Sequence, residues 1–401
     1  MVRYIMTFVA CVLSAIGAVA QVSAASDSVP RVSLVTCHAG SVMYELCGHT
    51  AIRVQVGNED LAVNYGLFEF QTENFAIKFL KGETDYRVGA YPFNYFLRNY
   101  SLEDRRVVEQ ELNLTPEQAW KLVNLLVINM RPENCVYRYN YVKNNCATKP
   151  VDVIEMAVGD SIKFSQPDFE GADKWTFRRE MRHFHKNYDW YQLGIDFALG
   201  EGIDYVLSVR EKMFAPESLE SMMRGATVTD SLGNAIPIVK AEQVLHEGSP
   251  AQLPPTPWWC SPMAVFSLLL VVSVALSVRD VRRRCVTRWF DATVFAFVAI
   301  AGMIIALLVF VSTHEATSPN WNLAWLNPLA LVVPIFVWLK KCKKIVLCYH
   351  FVNFAVIILL MLSWPFIGQV ANVAFLPLAL SLLARSASYL YINLCQEKKV
   401  A

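Results

Sequence analysis

Long apolar runs occupy the C-terminal third of the chain, and shorter mixed patterns occupy the part before it. Five of these runs have about the 20 residues that a tilted transmembrane helix needs. They lie near Ser261–Val278, Ala292–Ser312, Leu323–Leu339, Val346–Ile367 and Val370–Tyr391. The pattern predicts an all-α membrane domain of five helices over residues 258–401.

The N-terminal 24 residues have the pattern of a secretory signal peptide. Arg3 precedes an apolar stretch from Tyr4 to Ala20, and small residues suited to cleavage follow. An uncleaved anchor helix is the alternative. A second boundary is predicted at residues 247–257, where four prolines exclude a continued helix or sheet and form a linker. An exported domain over residues 25–246 therefore precedes the membrane domain.

Strand and helix patterns are mixed in the exported domain, which is typical of an α+β fold. Thr50–Val56 and Leu61–Gly66 flank a polar Gly/Asn turn and predict a β-hairpin. Thr115, Pro116 and Gln118 predict the start of a helix with a capping box. The domain is long enough to bury its own core, so we expect it to fold without the membrane helices.

Composition and charge agree with two parts in two solvents. Hydrophobic residues make up 54% of the chain and charged residues 18%, which is more apolar than an ordinary soluble enzyme. A net charge of +1 gives no basic excess for nucleic-acid binding. The loops after the first and third apolar runs are rich in Arg and Lys, whereas Thr313–Asn322 has neither. Basic loops stay in the cytoplasm, so the N-terminal domain is predicted outside and the C-terminus inside.

Cys146 is the candidate nucleophile of the exported domain. A strand with alternating tyrosines is predicted over Val136–Val142, and Pro150 then lies in the first turn of an apolar helix. Cys146 would thus stand at the helix start, where free N–H groups and the helix dipole lower a thiol pKa. The same N–H groups can hold an oxyanion. An ordinary buried cysteine would give the same pattern.

A base for this cysteine has to come from one of five histidines in the exported domain. His49 stands at the mouth of the first hairpin strand, after Gly48, which permits close backbone approach. Cys47 is a rival nucleophile, because it would share the strand face of His49. One disulfide among Cys37, Cys47 and Cys135 is permitted in this compartment. No spacing predicts a metal site or a phosphate-binding loop, so no metal or cofactor is expected.

Several motifs resemble the Lnb N-terminal periplasmic domain. They are Thr36–Gly40, Cys47–Arg53, Asn64–Gly66, Phe75–Lys81, Gly89–Phe93, Glu111–Thr115, Arg138–Thr148 and Trp190–Asp196. A strand histidine followed about a hundred residues later by a helix-start cysteine is also similar to the circularly permuted papain-like arrangement. Lecithin:retinol acyltransferase-like enzymes and relatives of NlpC-type peptidases share that arrangement. The resemblance implies an α+β permuted papain-like exported domain, followed by the five membrane helices.

The resemblance implies a lipoprotein N-acyltransferase of the bacterial inner (cytoplasmic) membrane, with its N-terminal domain in the periplasm. Cys146 would take an acyl chain from a phospholipid as a thioester, with His49 as acid and base. The acceptor would be the N-terminal cysteine amine of a diacylglyceryl lipoprotein. A membrane-tethered cell-wall cysteine peptidase or amidase and a non-enzymatic membrane sensor or scaffold are the alternatives.

Asn64 is the candidate for a third catalytic group. The permuted family places the polar group that orients the imidazole on the next strand, and Asn64 lies there. A turn that pairs Val56 with Leu61 would leave Asn64 four residues out of register with His49. A bulge or a wider turn is then expected. Tyr65 and polar residues elsewhere in the domain are the alternatives.

The asymmetry of Lys and Arg between the loops predicts the topology. A reporter that is active only in the periplasm should be active when fused after Val311 or Gly368, and inactive after Arg284 or Lys344. Alkaline phosphatase activity of the four fusions, normalised to protein level, measures this. An inactive fusion between residues 313 and 322 would contradict the five-span topology.

Overall fold

The structure is a computed structural model that describes residues 28–68, 74–159, 162–165, 174–230, 232–249 and 254–397. It divides into two compact units. The first comprises Met1–Phe184 and Val206–Leu253, and the second comprises His185–Tyr205 and Pro254–Ala401. The predicted signal peptide and residues 250–253 of the predicted linker lie outside the described residues.

A seven-stranded antiparallel sheet forms the centre of the first unit. The strands of this unit are β1 (Arg31–Cys37), β2 (His49–Val56), β3 (Glu59–Leu67), β4 (Asp85–Pro92), β5 (Val107–Leu112), β6 (Val136–Arg138), β7 (Ile162–Lys163), β8 (Thr227–Thr229), β9 (Ala235–Pro237) and β10 (Val239–His246). The order in the large sheet is β10-β5-β1-β2-β3-β4-β6, and β7-β8-β9 form a small second sheet.

Helices cover both faces of the large sheet. Those of the first unit are α1 (Phe75–Lys81), α2 (Phe93–Leu102), α3 (Pro116–Met130), α4 (Thr148–Val158), α5 (Phe177–Phe184) and α7 (Pro216–Gly225), while α6 (Asp189–Ala198) belongs to the second unit. Leu122 of α3 and Ile154 of α4 are buried in the core of one face. Phe96 of α2 is buried in the core of the other face.

The capping box predicted at Thr115 and Gln118 is confirmed. The α/β unit has the mixed fold that the sequence predicts.

The predicted β-hairpin is confirmed, but its turn is tighter than expected. Gly57–Asn58 alone links β2 to β3, so Val56 pairs with Glu59 and not with Leu61. Two-residue turns match the twist of the flanking strands, which explains why Glu59 remains in the ladder. The tighter turn moves Asn64 closer to the start of β2, where it bears on the candidate site.

The predicted Tyr-rich strand is shorter than expected, because it ends at Arg138. Asn140 and Asn144 then exchange backbone hydrogen bonds of 3.2 and 2.9 Å that close a turn. The Asn140 side-chain oxygen also accepts hydrogen bonds from the N–H groups of Val142 and Lys143, both at 3.1 Å. Such side-chain bonds to the backbone compete with strand pairing. The extension of this strand to Val142 is therefore wrong.

Four helices of the second unit are long and apolar enough to cross a membrane: α8 (Pro262–Arg283), α9 (Arg288–Phe310), α12 (Lys343–Ser363) and α13 (Phe375–Glu397). The third predicted span is broken into α10 (Asn322–Trp325), a 3-10 turn and α11 (Val332–Phe336). The break lies at Asn327, which is extended, and at Pro328, which begins the 3-10 turn and lacks an N–H donor to continue α10. The apolar segment Asn322–Phe336 is also shorter than the roughly 20 residues of a spanning helix.

Buried charges tie three of these helices together. Arg385 of α13 is fully buried and donates from Nε to Asp291 Oδ1 of α9 at 2.6 Å. Its Nη2 donates to Asp280 Oδ2 of α8 at 2.9 Å, and its Nη1 to Ser277 Oγ at 3.1 Å. An unpaired charge is expensive inside a bilayer, so these contacts specify how α8, α9 and α13 pack.

The segment His185–Tyr205 is grouped with the second unit, although the predicted exported domain continues to residue 246. Asp196 Oδ2 accepts a hydrogen bond from Asn372 Nδ2 at 2.8 Å. Glu201 Oε2 accepts one from Trp321 Nε1 at 2.9 Å. This stretch of the predicted exported domain therefore contributes residues to the helical unit.

A fragment that ends at His246 should leave this segment without its partners. Chymotrypsin is expected to cut the fragment at Tyr191, Leu193 or Phe197 and to spare these bonds in the full chain in detergent. Mass spectrometry of the peptides measures the difference. Tyr65 in the core of the first unit should stay uncut in both proteins. Equal protection of the segment would show that it folds without the helices.

Candidate active site

The candidate residues meet at one end of the large sheet. Cys37 pairs with both His49 and Val107, so the ends of β1, β2 and β5 lie together. Cys146, which precedes α4, lies at the same end of the sheet. A Cβ added to Gly66 of β3 would lie 3.7 Å from the Cβ of Cys146 and 3.3 Å from the ring of Tyr139. Gly66 has a φ of +87°, which also favours glycine. We call this end of the sheet the Cys146 end.

His49 and Asn64 form a hydrogen-bonded pair, with His49 Nε2 2.9 Å from Asn64 Oδ1. Asn64 is fully buried, and its Nδ2 donates to the Ala62 carbonyl at 3.1 Å, which directs Oδ1 towards the ring. An amide oxygen only accepts, so Nε2 carries the ring proton and Nδ1 keeps a free lone pair. The pair forms without the bulge or wider turn that we expected, because the tight turn pairs Asn64 with Ala51, which is two residues from His49 and on the same strand face.

The imidazole of His49 is neutral at physiological pH. Burial lowers the pKa of His49 to about 4; the hydrogen bond to Asn64 opposes this effect and the charge of Arg105 adds to it. The ring also stacks on Tyr100, with centroids 6.2 Å apart and planes inclined by 10°. A neutral, oriented imidazole is the state that a general base requires.

The thiol of Cys146 is protonated at neutral pH, so the expectation of a lowered pKa is wrong. Burial raises the pKa of Cys146 to about 11. Hydrogen bonds from the N–H groups of Thr50 and Cys146 and from the Tyr139 hydroxyl act in the opposite direction, as does the charge of Arg105. Desolvation outweighs them. Within the described residues, His49 hydrogen-bonds to Asn64 and not to Cys146.

Asn145 explains why the helix start does not serve the thiol as expected. Its Oδ1 accepts hydrogen bonds from the N–H groups of Ala147 and Thr148 at 2.8 and 2.9 Å. These are the first free donors of α4, and they are the groups expected to face a thiolate or an oxyanion. The sequence pattern holds a signal for this role that we did not use, because Asn before a helix is a common cap.

Arg105 is a second residue that the sequence did not reveal. It is buried, and its guanidinium carbon lies 4.7 Å from the centroid of the Tyr100 ring. Its Nη1 pairs with Glu103 at 3.2 Å, while its Nη2 has no hydrogen-bond partner in the described part of the chain. Its charge lowers the pKa of both His49 and Cys146. No local pattern marks Arg105, because only the pairing of β5 with β1 brings it here.

The other cysteines of this unit are less suited to nucleophilic chemistry. Cys47 lies in a turn before β2 and not on the strand face that we expected. Its Sγ is 3.1 Å from the Tyr141 hydroxyl, and burial raises its pKa to about 12. Cys37, Cys47 and Cys135 are free thiols, so the permitted disulfide is not formed. The close backbone approach predicted at Gly48 is confirmed, since a Cβ there would lie 2.5 Å from the Cys37 carbonyl oxygen.

The fold and the site define a membrane protein whose α/β unit holds a cysteine, a histidine and an asparagine at one sheet end. The family model of the Lnb N-terminal periplasmic domain matches residues 19–180, and that of the Lnb transmembrane domain, named for five spans, matches residues 255–398. The chain therefore belongs to the Lnb family and is a multi-pass membrane protein with a periplasmic N-terminal domain. No curated protein and no solved structure matches the chain. In the described residues, no cluster of three side chains is suited to hold a metal.

Loss of the Arg105 charge should change the pH dependence of the site. In Arg105→Met the pKa of His49 should rise, because a nearby cation no longer opposes protonation. The acid limb of Cys146 acylation by a thioester should then move up by roughly one pH unit. Arg105→Lys should keep the wild-type limb. Arg106→Met is the matched control, since this neighbour is more exposed and pairs with Glu247. Superimposable profiles for Arg105→Met and wild type would contradict the assignment.

Proposed function

We propose that this protein is a lipoprotein N-acyltransferase. It moves an acyl chain from a phospholipid, through a thioester on Cys146, to the N-terminal cysteine amine of a diacylglyceryl lipoprotein. The observation that carries the proposal is the His49–Asn64 pair at the same sheet end as the Cys146 thiol, in a chain of the Lnb family. The long apolar helices support it, because donor and acceptor are both held in a membrane.

The first half-reaction transfers the acyl chain to sulfur. As the thiol approaches the ring, His49 Nδ1 accepts its proton, and the Cys146 sulfur attacks the ester carbonyl carbon of the phospholipid. The N–H groups of Thr50 and Cys146 are the nearest donors for the resulting oxyanion. The ester C–O bond breaks, His49 returns the proton to the leaving oxygen, and a lysophospholipid departs.

The second half-reaction transfers the acyl chain to nitrogen. The neutral N-terminal amine of the lipoprotein attacks the thioester carbonyl, and His49 accepts one proton from that nitrogen. The C–S bond breaks, and His49 passes the proton to the Cys146 sulfur. The high pKa of Cys146 favours this return to the thiol.

Apolar surroundings favour acyl transfer over cell-wall peptide cleavage, which would use the same pair of residues. Tyr86 and Tyr139 stack beside Cys146, with centroids 4.2 Å apart. Aromatic side chains of this kind suit a lipid chain better than a polar glycan-linked peptide.

The proposal predicts acylation of Cys146 and of a model lipopeptide. The full chain, reconstituted with phospholipid and a synthetic diacylglyceryl lipopeptide, should add one acyl chain to the lipopeptide amine. Intact-mass spectrometry should detect the acyl-enzyme before the acceptor is added. Cys146→Ser should abolish both signals, and His49→Ala should slow the reaction by roughly 10²-fold or more. Both together should cost no more than Cys146→Ser alone.

Cys47→Ser is the matched control, and it should retain acyl transfer. If Cys47→Ser lost activity and Cys146→Ser kept near-normal transfer, the nucleophile would be Cys47 and the mechanism proposed for Cys146 would be wrong. Release of peptides from cell-wall fragments without any acyl-enzyme would replace the proposal with the peptidase. Binding without turnover of either substrate would favour the sensor.

A further inference from the structure

Two connections at the Cys146 end of the sheet expose apolar side chains. One joins β1 to β2 and contains a short 3-10 turn, Met43–Glu45; the other joins β3 to β4 and contains α1. Six large apolar residues of these connections are each at least 39% exposed. We call them the apolar rim: Val42, Met43, Tyr44, Ile77, Phe79 and Leu80.

The base of the first connection is anchored, so its exposed tip projects from an ordered support. His38 Nε2 lies 3.0 Å from Glu220 Oε2, and the Ala39 N–H donates to Glu217 Oε1 at 3.1 Å. Arg105 Nε donates to the His38 carbonyl at 2.9 Å. The tip therefore has a defined direction, and Val42, Met43 and Tyr44 are exposed there.

The second connection places apolar residues and charged residues side by side. Ile77, Phe79 and Leu80 of α1 are exposed, and Lys78 lies between them and is exposed as well. Lys81 ends the helix, and Glu83 follows it. A short helix with exposed apolar residues next to charged ones matches a bilayer interface, where acyl chains meet headgroups.

Aromatic rings lead from the rim to the thiol. The Tyr44 ring lies 6.5 Å from that of Phe68, Phe68 lies 5.1 Å from Tyr86, and Tyr86 lies 4.2 Å from Tyr139 between centroids. The Tyr139 hydroxyl hydrogen-bonds to Cys146. We call these four rings the aromatic row. The aromatic row joins a surface residue to the tyrosine that contacts the sulfur.

We infer that the apolar rim docks the periplasmic unit on a phospholipid bilayer, and that an acyl chain reaches Cys146 along the aromatic row. If this face contacted only water, the six apolar side chains of the rim would be exposed to solvent. Exposed apolar patches of this kind mark protein or membrane interaction sites. The chain also leaves the sheet at this end, at His246, on its way to the first apolar helix. The docking stands by itself, whereas the route of the acyl chain rests on the proposed acyl transfer.

Photo-crosslinking in the full chain tests the docking. A benzophenone side chain at Ile77, in bilayer discs of phosphatidylethanolamine and phosphatidylglycerol, should form phospholipid adducts that mass spectrometry detects. The same group at Tyr95 is the matched control. Tyr95 is an exposed aromatic residue of α2, which starts at the opposite end of the sheet, where Pro92 pairs with Leu61.

The adduct yield should be several-fold higher at position 77 than at position 95. Equal yields at the two positions would overturn the docking. A second outcome would also overturn the docking. If a lipopeptide-bearing protein is added and position 77 forms adducts with that protein but none with lipid, the rim is a protein-binding surface.

A double variant, Ile77→Ser with Phe79→Ser, tests the route of the acyl chain. Formation of the acyl-enzyme from bilayer phospholipid should require roughly tenfold more donor lipid, because docking is weakened. Acylation by a water-soluble short-chain thioester should keep its wild-type rate, which shows that the variant is folded. Tyr95→Ser should change neither reaction. An unchanged requirement for donor lipid would overturn the route.

The two experiments separate the docking from the proposed function. Lipid adducts at position 77 in a protein that forms no acyl-enzyme with any donor would disprove acyl transfer and leave the docking in place. An active acyltransferase without adducts at position 77 would disprove the docking alone.

Discussion

The register between β2 and β3 is the constraint on which the candidate site depends. Side chains alternate along a strand, so a slip of one residue would turn Asn64 to the other face of the sheet. Asn64 pairs with Ala51, so a turn two residues longer would place Asn64 opposite Arg53, four residues from His49. The turn Gly57–Asn58 prevents both, and the resulting 2.9 Å hydrogen bond fixes the proton on Nε2. The free Nδ1 that the proposed chemistry needs is thus a consequence of the length of a turn.

Burial sets the electrostatics of this site more than the helix dipole does. It raises the pKa of Cys146 to about 11 and lowers that of His49 to about 4, so the resting pair is a neutral thiol and a neutral imidazole. The nucleophile then forms only as its proton moves to the ring. A resting thiol is also less open to oxidation than a thiolate, which is an advantage for a cysteine in the periplasm. The charge of Arg105 lowers the pKa of Cys146 and so opposes the effect of burial on it.

Each unit handles apolar surface in the way its solvent requires. In the helical unit, apolar side chains face outward and the charges of Arg385, Asp280 and Asp291 are paired inside. In the periplasmic unit, apolar side chains fill both sides of the sheet, and the apolar rim is a departure from that rule at the Cys146 end. The apolar rim lies at the end of the sheet that holds the thiol, which is where the proposed chemistry requires a lipid substrate to bind.

The sequence by itself determined the two-part architecture, the α3 capping box, the β2–β3 hairpin and the candidates Cys146, His49 and Asn64. These follow from composition, short-range periodicity and motif resemblance, which depend on residues near in the chain. Tertiary structure decided what depends on distant neighbours: the burial that raises the Cys146 pKa, the approach of Arg105, and the grouping of His185–Tyr205 with the helices. Tertiary structure also decided which of several competing local interactions forms. The Asn145 side chain accepts hydrogen bonds from the first N–H groups of α4, and the Asn140 side chain ends β6 early. Asn327 and Pro328 interrupt the third apolar run. In each case a local hydrogen bond or a proline outweighs the periodicity of the sequence.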